Sequence, residues 1–322
     1  MLKETQNFKP YYRASDLSII IPTKDRPQKL RRVLDCLHQQ TVRGFRVLIV
    51  DGGTNAKQVV DEYQSRLNIT YRQSPVPGQI HQRNLGIAQL EDNDYLVGFI
   101  DDDMELAGDS IEKVLALWNA VDPDPAGIGF NLIEDGSAGN KLFKKIFLLG
   151  SATPGKVIVS GANTGIANIK QSMRTQWLGG GYTIWRKDII LENPHQPVNT
   201  RWAIGEDLRF SYPIGKQYPL WVCSEATAKH NHVYRAEDQV RFARYRGMKI
   251  VMSSLFFVHS HTELSLAACY WMLAGLCIGR IVKGIYCRKR YLVLEGIGMA
   301  AGIVRSAAAG ANQDFILSKM EN

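Results

Sequence analysis

Three consecutive carboxylates, Asp101, Asp102 and Asp103, follow the short apolar run Tyr95–Ile100, which is itself bounded by the polar segment Glu91–Asp94. The run reads as a buried strand. Acids packed at the end of such a strand repel one another and lose hydration unless a cation lies among them. On that reasoning, relieving the repulsion by Asp103→Asn should leave the fold intact. Carboxylate oxygens suit Mg2+ or Mn2+, which take one or two of them and fill the shell with water and phosphate. In open α/β sheets ligands bind beyond the carboxyl ends of the strands, where this cluster falls. A competing reading is a charged cap, since Asp109-Ser110 can open a helix over Ile111–Ala120. Capping accounts for Asp109 but not for three acids flush against a strand. Two more acids, Glu206-Asp207, follow Gly205. They suit the positive end of a helix, or a division into acid and base, because like charges push their pKa values apart. His230 and His232 lie two apart, on one face if the segment is extended.

The elements that position these groups alternate. Leu17–Pro22 and Phe45–Val50 read as buried strands, Ile69–Arg72 as a third short one, and the helical spacing of Leu30, Val33, Leu34 and Leu37 predicts a helix from Pro27 to Gln40. Ala56–Leu67 and Gly78–Leu90 read as two more helices. Strand–helix alternation over the first 104 residues predicts a mainly parallel sheet covered by helices. Each strand ends in polar or Gly/Pro residues, at Pro22–Arg26, Asp51-Gly52-Gly53 and Asp101–Asp103. Three such ends on one rim describe a nucleotide site, with neither a dinucleotide fingerprint nor a P-loop signature in the chain.

Composition narrows the class. The 322 residues, 45% hydrophobic and 22% charged, are those of a globular protein, and a net charge of +8 suits a phosphorylated substrate or an anionic membrane. No nucleic-acid module or basic stripe interleaved with aromatics is present, so no nucleic-acid partner is expected. The five cysteines, odd in number and without a CxxC pair, read as reduced packed thiols. The N-terminus lacks a signal-peptide core, so the chain is expected to stay in the cytoplasm.

In order and spacing, the segment from about Leu17 to His232 resembles the inverting family 2 glycosyltransferases of GT-A fold, of the surface-polysaccharide type. Ile19–Arg26 is similar to the first-strand motif whose loop holds the nucleotide, and Val50-Asp51-Gly52-Gly53-Thr54 to the VDDGS element, with Gly52 in place of its second Asp. Pro77–Gly86 resembles the helix carrying an ARN triplet, with Gln82 in the usual small position. Asp101–Asp103 is similar to the metal motif, Trp177–Arg186 to the acceptor-side Gly-Gly strand, Arg201–Leu208 to the late ED motif, and Lys229–His232 to the place of a His near metal and diphosphate.

The resemblance implies transfer of a sugar, with inversion, from a UDP-, GDP- or dTDP-sugar to a saccharide or lipid-linked acceptor hydroxyl. It implies Asp207 as general base beside Glu206, and Asp101, Asp103 and His230 around Mg2+ or Mn2+. Pro22, Thr23, Asp25, Arg26, Asp51, Arg83, Asp101 and Asp102 would hold the nucleotide, with Lys24 as a further diphosphate contact. Trp177, Tyr182 and Trp185 could stack on sugars, though core packing is the default for aromatics. A nucleotidyltransferase and a non-catalytic nucleotide-sugar-binding scaffold are the alternatives. The first needs a Gly-rich opening loop that Pro22–Arg26 does not resemble, and the second needs neither acid cluster.

Organisation follows as an N-terminal arm at 1–16, a GT-A domain at 17–235 and an apolar helical region at 236–322. Within the last, 16 residues from Leu264 precede Arg280, fewer than the ~20 a spanning helix needs, and a second stretch runs from Tyr291 to Val304. With the intervening cations they suggest a peripheral or monotopic attachment to the cytoplasmic face of the membrane.

Overall fold

The computed structural model describes residues 10–134, 140–196, 204–231 and 236–321. The elements in chain order begin β1 (Leu17–Thr23), α1 (Pro27–His38), β2 (Arg46–Asp51), α2 (Ala56–Tyr63), β3 (Asn68–Gln73), α3 (Gln79–Ile87) and β4 (Leu96–Ile100). They continue with β5 (Met104–Leu106), α4 (Ser110–Ala120), β6 (Gly127–Leu132), α5 (Lys141–Ile146), β7 (Met173–Thr175), β8 (Tyr182–Arg186), α6 (Lys187–Glu192), α7 (Glu206–Gln217) and β9 (Leu220–His230). Helices α8 (Ala236–Arg241), α9 (Ala243–His259), α10 (Leu266–Tyr286), α11 (Arg290–Ala308) and α12 (Gln313–Glu321) complete the chain. They group into two compact units, one of residues 1–134, 167–195 and 213–231, the other of 135–166, 196–212 and 232–322.

The first unit holds the sheet, in the order β3-β2-β1-β4-β8-β6-β9-β5, with β7 on β9. Every residue of β1, β2 and β4 is buried, which is why these strands read as continuous apolar runs. They run parallel, and the pairings Thr23↔Asp51, Asp51↔Gln73 and Ile20↔Phe99 bring the polar ends of β1 to β4 to one rim. Leu30, Val33, Leu34 and Leu37 form the buried face of α1, as their spacing predicts. Beyond β4 the sheet is mixed, with β8 antiparallel to both β4 and β6. Of its later strands, β8 falls inside the expected strand at Trp177–Arg186, whereas β5, β6, β7 and β9 escape a periodicity reading because they are short or interrupted. The β6–β9 register shifts between Phe130 and Asn131, and the Asn131 amide fills the gap by donating to Ile169 O and Ser224 O. Residues 10–16 are tied to this unit: Tyr12 sits edge-on to Trp118 and its N–H donates to Asn119 Oδ1.

The second unit is helical. Val251, Met252, Leu255, Cys269, Met272, Leu273, Met299 and Ile316 are buried together between α9, α10, α11 and α12. Helix α10 is longer than the apolar run that predicts it, because Arg280 does not end it. Instead Arg280 Nε turns to the buried Glu295 of α11 at 3.2 Å. Arg246 of α9 donates to the same carboxylate at 3.0 and 2.6 Å, so one buried acid ties three helices. Of the five free cysteines, Cys223, Cys269 and Cys277 are buried, whereas Cys287 is exposed at the α10–α11 turn and not packed as its pattern suggested.

Candidate active site

The rim at the ends of β1, β2 and β4 carries most of the residues singled out in the sequence. Asp102, buried at the end of β4, accepts hydrogen bonds from Thr23 Oγ1 at 2.7 Å and Arg26 Nη1 at 3.1 Å. It thereby fastens the loop after β1 to the end of β4. Burial raises its carboxyl above the usual range, only partly offset by Arg26 and Thr23. Asp103 is also buried, and Lys29 of α1 reaches its Oδ2 at 2.9 Å while His230 Nε2 lies 3.2 Å from its Oδ1. Burial alone would raise the Asp103 carboxyl, but hydrogen bonds from His230 and Lys29 and their charges outweigh it and hold the group well below the usual carboxylate range. The same hydrogen bond raises His230, against its burial. The cations that three adjacent acids require are thus largely the chain's own, among them Lys29, which no motif flags although it lies one helical turn beyond Arg26.

Asp101 points to another partner set. Its Oδ1 accepts from Arg83 Nη2 at 3.0 Å and from Gln79 Nε2 at 2.6 Å, both from α3. Arg83 is only 1% exposed and its guanidinium stacks over Phe99, so it acts on Asp101 from below the rim. On the other side, Gly181 O accepts from the Asp101 N–H at 2.9 Å, and a Cβ on Gly181 would fall 2.0 Å from Asp101 Oδ2. Only glycine admits the aspartate there. Beneath, buried His195 packs edge-on to Phe99, and burial with the Arg83 charge lowers its pKa to about 3, so it is neutral at physiological pH.

Asp51 is fully buried and its carboxylate receives the N–H groups of Gly53 and Ala56 and the hydroxyl of Tyr71, which organises the turn into α2. Asp25 is exposed and takes a left-handed conformation, φ +52°, while its Oδ1 accepts from Thr54 N–H. Pro22 and Thr23 are the buried end of β1, and Lys24 and Arg26 are exposed beside Asp25. Gly52 and Gln82, the two departures from the family pattern, lie against each other: a Cβ on Gly52 would meet the Gln82 side chain at 3.2 Å. The Gln82 amide donates to Thr23 O at 2.7 Å and Val50 O at 2.6 Å, clamping the ends of β1 and β2.

Glu206 and Asp207 open α7 in the second unit, after Gly205 at φ +71°. Glu206 is buried and Asp207 half-buried. Trp185 is core, its indole donating to Thr183 Oγ1, while Trp177 and Tyr182 are half-buried. Arg201, Trp202, Ala203 and His232 lie outside the described residues.

Among the described residues no three His, Cys, Asp or Glu side chains form a ready-made metal cage. The donor types nevertheless fit a hard divalent ion. Asp103 Oδ1 and His230 Nε2, 3.2 Å apart in a hydrogen bond, are the two donors that would hold such an ion.

Residues 18–174 match the family described as Glycosyl transferase family 2. The chain carries a family 2 glycosyltransferase domain. Glycosyl transfer is accordingly its activity. An uncharacterized glycosyltransferase of Haemophilus influenzae is 26% identical over 208 residues, 60% of this chain and 67% of that protein. The O-antigen chain rhamnosyltransferase RfbN of Salmonella typhimurium is 23% identical over 239 residues, 71% of this chain and 70% of its own length. Among solved structures, the mannosyltransferase PcManGT of Pyrobaculum calidifontis, determined with GDP-Man and Mn2+, superposes with a TM-score of 0.55. The match covers 97% of this chain and 89% of that one at 13% identity, which shows a shared GT-A fold.

Proposed function

We propose that the chain transfers a sugar, with inversion and with the help of Mg2+ or Mn2+, from a nucleotide-diphosphate sugar to a saccharide or lipid-linked acceptor in surface-polysaccharide or glycolipid synthesis. The setting is the cytoplasmic face of the membrane. The observation that carries this reading is the convergence of Thr23, Arg26, Lys29 and His230 on Asp102 and Asp103 at the end of β4.

In this reading Asp103 and His230 hold the divalent ion, which when bound offsets the charge gathering on the leaving diphosphate. Arg26 and Lys29 add positive charge beside it, Arg26 being suited to bidentate phosphate contact. Asp102 keeps the β1 loop, with Pro22, Thr23 and Asp25, in place to receive the nucleoside. Asp51 does the same for the β2 turn. Asp101, steadied by Arg83 and Gln79, would contact the ribose or help to hold the ion. Asp207, with Glu206 beside it, is the general base that takes the proton from the acceptor hydroxyl. That role rests on its place in the late acidic motif. The O-antigen relative supports a polysaccharide acceptor. Support for a membrane setting comes from α10 and α11, which are long and apolar enough to cross a bilayer.

Thermal-shift measurements with UDP-, GDP- and dTDP-sugars, with and without Mn2+, test this. A donor at 100 times its Kd should stabilise the fold by about 2.7 kcal/mol, and only with the metal present. A full set of donors that gives no metal-dependent shift would overturn the assignment. The anomeric configuration of the product, read by NMR, tests inversion.

A further inference from the structure

The apolar surface of α10 is one-sided. Trp271, Ile278, Val282 and Ile285 are 50%, 46%, 59% and 66% exposed. At 100° per residue they fall within an arc of about 60°. Only 28% of the apolar stretch of α10 is buried, unlike the core helix of a soluble protein. Cations flank this stripe at both ends. Near its start, α5 is fixed to α10: Phe147, just after it, stacks on Trp271 at 5.0 Å, and the Trp271 indole donates to Ile146 O at 2.7 Å. Helix α5 itself exposes Leu142 and Ile146 among Lys141, Lys144 and Lys145. At the far end the turn into α11 carries Arg288, Lys289 and Arg290, all exposed.

Resting on the membrane setting proposed above, we infer that α10 lies flat on an anionic bilayer surface, with the Trp271–Ile285 stripe among the acyl chains and the α5 and turn cations on lipid phosphates. Charge complementarity favours this occupant, since basic clusters at both ends of an apolar stripe match an anionic headgroup layer. The packing argues against a span. Inserting the hairpin tip first would carry Arg288, Lys289 and Arg290 through the hydrocarbon. Helix α9 would follow α11 inward with its own cations, because the two backbones touch: a Cβ on Gly298 would lie 2.0 Å from Arg244 O, and one on Gly247 2.0 Å from Glu295 O.

The test is co-sedimentation of the full chain with vesicles of phosphatidylcholine, alone or mixed with phosphatidylglycerol. Wild type should bind the mixed vesicles. The exposed-site variant Val282→Glu/Ile285→Glu should bind at least tenfold more weakly. Arg288→Gln/Lys289→Gln/Arg290→Gln should lose about 10²-fold at low salt, about fivefold per charge, and show a shallower salt dependence. Cys287 at the turn should remain open to a membrane-impermeant maleimide added to the bound protein, with Cys287→Ser as control.

Undiminished binding by the Val282→Glu/Ile285→Glu variant overturns the assigned face, and protection of Cys287 overturns the flat orientation. A wild-type dimer that the same variant splits would make a second copy of the chain the occupant. Wild type that binds neither vesicle removes the membrane setting itself, while donor-dependent thermal shifts of the same samples report separately on the transferase reading.

Discussion

Asp103→Asn separates two accounts of the acid cluster. If repulsion among Asp101, Asp102 and Asp103 dominated, the substitution would leave the protein as stable as before or more so. The structure reverses that expectation, because Asp103 is set against Lys29 at 2.9 Å, His230 at 3.2 Å and Arg26 at 3.6 Å. Asparagine keeps the shape and one acceptor but turns an amide N–H2 toward a cation. The Arg26 and His230 side chains are 48% and 38% exposed, so solvent screens those pairs to at most about 1 kcal/mol in total. Lys29, at 24%, gives the stronger charge-assisted bond, worth ~1.5–3 kcal/mol. A net loss of about 2 kcal/mol is expected in the absence of metal. Its pH dependence follows from the two shifts. A carboxyl lowered by folding contributes stability above its unfolded pKa, ~3.9, and loses it as pH falls below that. The raised His230 contributes below its unfolded value, ~6.5, and loses it as pH rises through the folded one. The gap between wild type and variant should therefore be widest from about pH 5 to 6.5 and shrink on either side. Urea unfolding in EDTA across that range measures it. A variant equal to or more stable than wild type near pH 6 refutes the attractive account.

Other perturbations probe the remaining assignments. Asp207→Asn should lower turnover by about 10²–10⁴ and leave the donor-induced thermal shift unchanged; if Glu206→Gln alone gives that loss, the two roles are exchanged. Gly181→Ala places a Cβ 2.0 Å from Asp101 Oδ2 and should cost up to ~10² in turnover, since a misplacement of about 1 Å can do so, with little change in Tm. Glu295→Gln should cost about 1–3 kcal/mol of stability, less than a fully buried pair, because Arg246 and Arg280 keep 23% and 41% exposure. Donor binding, read in the same unfolding scans, should persist. Gly52→Asp should weaken donor binding alone but not with Gln82→Ala, a coupling of ~0.5–3 kcal/mol that a double-mutant cycle measures.

The parallel half of the sheet is legible in the sequence because β1, β2 and β4 are buried throughout and carry apolar runs at Ile19–Ile21, Val47–Val50 and Leu96–Ile100. Their ends carry the polar breaks that mark the rim. In the second half only β8 was legible, within Trp177–Arg186; β6 contains two glycines and an asparagine, and β9 alternates irregularly around its register shift. Nor could spacing show that Arg280 continues α10, because the charge that makes this possible is Glu295, fifteen residues away and on another helix. The acid cluster itself was visible, but its neutralisation was not. Lys29 and Gln79 are ordinary surface-helix residues in the sequence, and only the meeting of α1 and α3 with the end of β4 turns them toward Asp103 and Asp101.

Gly52 and Gln82 carry the same point into the rim at the ends of β1 and β2. Taken singly, each weakens the family resemblance, one by removing an acid and the other by enlarging a small position. In space they are a single change. The Gln82 side chain lies where a Cβ on Gly52 would be crowded, and its amide binds the carbonyls of both Thr23 and Val50. This amide adds to the ladder between the ends of β1 and β2, under the loops that bear Asp25 and Gly53. An acid lost from the surface of the rim is exchanged for a neutral clamp beneath it. Nucleoside recognition on this chain would then depend on how firmly Gln82 fixes the two loops as much as on which side chains they expose, and the Gly52–Gln82 cycle measures that dependence directly.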